Sequence, residues 1–154
     1  MSERGEPGIP ASSERGLRSP AAQPPRAENM STRRVYRYEE SEWHVPLAAG
    51  TDPEVAAEAG RAGAARRFLA QGDAGFYTQV VKLPPGFEAP VHSHDHAEVF
   101  MVLEGSCEFD GQPMDRFDLT VVDANQPYGF TAGPDGLSFL VVRQGEAAFA
   151  VREA

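Results

Sequence analysis

Cysteine is almost absent. The 154 residues hold one, Cys107, which excludes an internal disulfide framework. Without a neighbouring base, Cys107 is a poor nucleophile candidate and reads as a small packing residue or a surface thiol. Positive charge is also scarce: 14 Lys and Arg stand against 23 Asp and Glu, for a formal charge of −9. Such a surface repels phosphate, so neither nucleic acid nor an anionic membrane is expected as a partner. No apolar run approaches the length of a membrane span. The N-terminus lacks the apolar centre of a secretory signal, so the expected location is the cytoplasm. A hydrophobic content of 41% suits one domain with a modest core.

Aromatic residues are missing from residues 1–30, "MSERGEPGIPASSERGLRSPAAQPPRAENM", which carry five prolines and alternate Arg with Glu. This stretch has too little apolar surface to offset its ordering entropy and reads as a disordered tail. Met30 is itself a candidate start. Residues 31–63 read as an arm: Tyr36, Tyr38 and Trp43 stand in a polar context suited to lying over the outside of a domain. "TDPEVAAEA" then reads as a short helix, capped by Asp52 with Pro53 in its first turn. Gly60 and Gly63 stop it.

From residue 64 the texture changes. "ARRFLAQGDAGFYTQVVKL" reads as two strands about a "QGDAG" turn, and "PPG" at 84–86 is a second turn. "AEVFMVLEG", "SCEFDG", "DLTVVD", "PYGFTA", "LSFLVVRQ" and "AAFAVRE" read as further strands, the first two separated at Gly105. Short strands at regular spacing, punctuated by Gly and Pro, indicate an all-β sandwich or barrel over residues 64–154.

Histidine is scarce too, with four in the chain. Three fall within "HSHDH", at 92, 94 and 96. On a strand His92 and His94 point to one side. After a short turn comes Glu98, which shares a face with Phe100 and Val102, while Val99, Met101 and Leu103 share the other. A carboxylate facing an apolar interior needs a compensating cation or hydrogen-bond donor. Two histidines and one carboxylate form the ligand set of non-haem Fe(II) sites, and the same donors suit Zn, Mn, Ni or Cu. The bland alternative is an exposed polar turn with no ion, and the inward phase of Glu98 weighs against it.

Gly86, His92, His94, Glu98 and Gly105 read as G-x5-H-x-H-x3-E-x6-G, which resembles the first signature motif of the cupin superfamily. The resemblance spans roughly residues 64–150. It implies a double-stranded β-helix (jelly-roll) barrel, preceded here by the arm and helix, with an internal divalent metal and frequently a homodimer. The second motif departs from the family in "FDLTVVDANQPYGF". Asp118 matches, but Asp123 replaces Pro, Asn125 replaces Gly, and Tyr128 stands where the family places a fourth ligand, His. Three roles are open to Tyr128: a phenolate ligand, a neutral proton donor beside a three-ligand site, or an aromatic packed in the barrel. The second is favoured.

His96 lies where the chain turns before Glu98 and is expected at the barrel mouth, exposed or as a proton shuttle. His44 is expected to pack in the arm. Phe100, Val102 and Gln79, with Tyr77 or Val81, are candidates to line a small-molecule pocket, although plain core packing suits Phe100 and Val102.

The leading reading is a metal-dependent enzyme acting on a small organic molecule. A dioxygenase using Fe(II) leads, because three ligands leave open positions. A non-catalytic binding or sensor module is the alternative, and an isomerase or lyase using the ion as Lewis acid a further one.

Overall fold

Period-two alternation dominates the chain beyond residue 64, and the backbone follows it into strands. The computed structural model describes residues 33–45, 53–146 and 149–151. The expected tail over residues 1–30 and the capping residue Asp52 lie outside the described residues. Val35–Ala154 form a unit separate from Met1–Arg34, and the fold belongs to the former.

Among the described residues, eight antiparallel strands make up the fold: β1 (Ala65–Asp73), β2 (Phe76–Leu83), β3 (Glu88–His94), β4 (Glu98–Phe109), β5 (Gln112–Met114), β6 (Leu119–Val122), β7 (Tyr128–Arg143) and β8 (Phe149–Val151). Hydrogen bonding runs β1-β2-β7-β3-β8, and β4 pairs with β5, β6 and β7. The long β7 therefore serves both halves. Its first residues pair with β3 and the end of β4, and its last residues lie between β2 and the start of β4. This is an all-β jelly roll. Its interior is filled from alternate positions, among them Val81, Phe100, Val102, Phe109, Phe130, Phe139 and Val141, all buried.

Two stretches that the sequence divides are continuous. "AEVFMVLEG" and "SCEFDG" form the single strand β4, with register shifts on either side of Glu104–Gly105. Gly105 makes a bulge there instead of a break. Its φ is +72°, and a Cβ would overlap the carbonyl oxygen of Gly136 on β7, so only glycine allows the two backbones this approach. "PYGFTA" and "LSFLVVRQ" likewise join in β7. The "PPG" turn forms as read, with Phe87 N–H donating to the Pro84 carbonyl at 3.2 Å.

The arm lies against β1. His44 and Arg66 exchange backbone hydrogen bonds of 2.8 Å each. The Arg67 guanidinium stands 4.4 Å from the Tyr38 ring centroid and 4.3 Å from that of Trp43, and Lys82 Nζ lies 4.7 Å from Trp43. Amphipathic cations thus anchor the aromatic arm to the outer face of β1 and β2. The helix α1 (Pro53–Arg61) ends where Gly60 and Gly63 lead it to be expected, and Ala56 and Ala59 tuck against the body.

Candidate functional site

Strand phase gathers five polar residues at one end of the interior. His92 and His94, two apart on β3, are both buried. The register partner of His92 on β7 is Tyr128, and the two rings stand 4.4 Å apart. Cross-strand pairing explains why residue 128 reaches this cluster at all. His92 Nδ1 lies 2.7 Å from the Pro90 carbonyl oxygen. A carbonyl only accepts, so Nδ1 carries the proton and Nε2 keeps its lone pair. Burial lowers the His92 pKa, and His94 adds to this, against the Pro90 hydrogen bond and the Glu98 charge. The ring is therefore neutral at neutral pH.

Glu98 opens β4 with 2% exposure. Its register partner on β7 is Arg143. Arg143 Nε donates to Glu98 Oε2 at 2.6 Å, and the Tyr128 hydroxyl donates to Oε1. Arg143 Nη2 lies 3.2 Å from His94 Nε2. Guanidinium only donates, so His94 accepts at Nε2. His94 Nε2 and Glu98 Oε2 are 3.9 Å apart, gathered about one cation. Glu98 is compensated inside the barrel, as its inward phase requires. Arg143, which sequence reasoning did not single out, supplies the positive charge. The signal was present in "FLVVR": Phe139 and Val141 are buried, and Arg143 continues their alternation.

Tyr128 is 4% exposed. Burial first, then the charge and hydrogen bond of Glu98, push its phenol far above the ordinary range. It donates to Glu98 as a neutral phenol here. Asn125, where the family motif has Gly, adopts a φ of +63°, a conformation Asn tolerates better than most residues. Its N–H donates to the His94 carbonyl at 2.6 Å, tying the second motif to the first.

Phe100 and Val102 have 0% exposure. Phe100 stacks on Phe139 at 4.2 Å and meets Phe109 and Phe130 edge-on. Both residues belong to the core cluster, the plain packing that suits them from the sequence. Gln79 is half-buried and opposite Val141, so it shares the inward face without reaching the five-residue cluster's hydrogen bonds. His96 also stands apart: it is half-exposed, with Nδ1 2.9 Å from Asp95 Oδ1, and its ring covers Gly145. His44 lies in the arm beside Phe68, 5.6 Å between ring centroids.

Residues 79–143 match the family model of the cupin domain (Cupin_2). Over those residues the chain is similar to the cupin superfamily. Solved structures agree with the cupin fold. The polyketide cyclase RemF from Streptomyces resistomycificus is similar with a TM-score of 0.61 at 20% identity, covering 80% of this chain and 87% of that one. An RmlC-like cupin from Shewanella frigidimarina gives 0.55 at 19%, covering 79% and 95%. KdgF from Halomonas sp. gives 0.54 at 21%, covering 75% and 96%. At such identities these likenesses speak to the fold alone. No curated protein matches the sequence.

Cupins commonly hold a metal, and the donor set of this chain fits such an ion. In His92 one ring nitrogen is tied to a backbone carbonyl, the support that ligating imidazoles need. His94 and Glu98 already share a cation. That cation is a guanidinium, however, and among the described residues no three His, Cys, Asp or Glu side chains converge as a metal-binding group. The donors fit an ion in kind, and Arg143 engages two of them.

Proposed function

We propose that this protein is a metal-dependent cupin enzyme acting on a small organic molecule, its ion held by His92, His94 and Glu98. The observation that carries the reading is the convergence of His94 and Glu98, both buried, on one positive charge beside a neutral His92. A barrel that needed only stability would fill this end with apolar side chains, as it does around Phe100. When bound, the ion would supply Lewis acidity and open positions for O2 or a chelating substrate, so a dioxygenase using Fe(II) leads. An isomerase or lyase shares the same residues. The chain's own contribution is the same in either case. Tyr128 keeps a proton on its phenol oxygen, directed at Glu98, and can offer it to a substrate oxygen instead. His92 stays uncharged, and the aromatic floor below the cluster excludes water. A second reading, a non-catalytic sensor, draws on the full engagement of Glu98 by Tyr128 and Arg143, since a carboxylate with both oxygens satisfied has little need of an ion.

Elemental analysis of native protein and of His92→Ala tests the assignment. The wild type should carry near-stoichiometric transition metal and the variant little; stoichiometric metal in both removes His92 from the ligand set. Oxygen uptake with 1,3-diketones, catechols and hydroxyketones under Fe(II) tests the reaction. Absence of turnover with Fe, Mn, Ni and Zn favours the sensor.

A further inference from the structure

We infer that Arg143 is a built-in counter-cation, and that a divalent ion enters this site by displacing it. The inference rests on the metal-dependent reading above. Arg143 and Glu98 are direct register partners, so their pairing is set by the backbone and not by chance side-chain contact. The guanidinium takes the lone pairs of the two atoms an ion would need, Glu98 Oε2 at 2.6 Å and His94 Nε2 at 3.2 Å. The single lone pair of His94 Nε2 cannot serve an ion and a guanidinium at once. Their like charges would also repel strongly in an interior that screens poorly. Arg143 can leave at small cost. It is the last residue of β7 and its side chain is 14% exposed, so it can turn toward solvent without breaking the strand ladder. Arg143 then has two effects. It keeps Glu98 from being an unpaired buried charge when no ion is present, and it weakens ion binding by competing for the same donors.

The test uses the full chain, stripped of metal, with Zn(II) as probe against a chromophoric chelator. Arg143→Met should bind Zn(II) about tenfold tighter or more than wild type, the size expected for removing a like charge beside the ion. Arg143→Lys, which keeps the charge, should stay within about threefold of wild type. Metal-free Arg143→Met should also melt lower than wild type and recover with Zn(II). Equal or weaker binding by Arg143→Met, with wild type still binding, overturns the displacement and leaves the metal site standing. No binding by either protein overturns the metal reading and the inference with it. Binding by Arg143→Met alone supports the inference in its strongest form. Should Arg143→Met fail to fold, the Arg143 Nε–H resonance of 15N-labelled wild type decides. Faster exchange with water on Zn(II) addition supports displacement, and an unchanged resonance in zinc-loaded protein overturns it.

Discussion

At the scale of single residues, the site is a problem of satisfying one buried carboxylate. Glu98 faces the interior at 2% exposure, and the fold commits a phenol and a guanidinium to its two oxygens. The two partners are not equivalent. Tyr128→Phe removes one neutral donor and should cost about 1–3 kcal/mol. Arg143→Met leaves the buried Glu98 carboxylate without its cation and should cost more, about 3–5 kcal/mol. Urea denaturation of the metal-free proteins checks the order, and a larger loss for Tyr128→Phe would show that the phenol holds Glu98 more strongly than the guanidinium does. Cys107 makes a separate case. It is 4% exposed, and burial pushes its thiol up to about 11. A thiol in an unfolded chain ionises near 8.5, so its contribution to stability is complete below about 8.5 and fades as pH rises toward 11. At pH 8 a disulfide reagent should label native protein slowly and denatured protein at once; fast labelling of the native form would place the thiol at the surface.

At the scale of elements, the sequence shows which way a side chain faces and not what it faces. Alternation along "EVFMV" is enough to send Glu98, Phe100 and Val102 inward. Alternation along "FLVVR" holds the same information for Arg143, but a cationic residue at a strand end reads as surface until the register with Glu98 is known. That register depends on the β4–β7 pairing, which joins positions forty-five residues apart and leaves no local trace. Strand ends are misread for a related reason. Gly105 resembles a break in sequence, yet it is the bulge where β4 closely approaches β7. Gly105→Ala should therefore be costly: about 1–3 kcal/mol from the left-handed backbone alone, with the overlap on Gly136 added. Comparison with Gly111→Ala checks this. Gly111 has a similar φ of +75° but open space about it, so Gly105→Ala should lower the melting temperature further; equal shifts would mean the β4–β7 approach is loose.

At the scale of the whole molecule, the question is whether the arm folds with the barrel or merely rests on it. Trp43 is the single tryptophan of the chain and sits in the arm, between Arg67 and Lys82 and edge-on to Tyr38 at 5.9 Å. Its fluorescence therefore reports on the arm alone, whereas circular dichroism reports on the eight strands. The contacts favour one cooperative unit. The arm adds backbone hydrogen bonds to β1 through His44 and Arg66, and Arg67 Nη1 donates to the Tyr38 carbonyl at 2.6 Å. Against this, each cation–π contact at a partly exposed site supplies only about 0.5–1 kcal/mol, less than the cost of ordering one residue's backbone. The backbone bridge must decide the balance, since it ties the arm to a strand that cannot leave the barrel on its own. Urea unfolding followed by Trp43 fluorescence and by circular dichroism should thus give coincident midpoints. A fluorescence transition at lower urea would show that the arm opens first as a local unit, and would place the cooperative boundary of the fold at β1 instead of at residue 35.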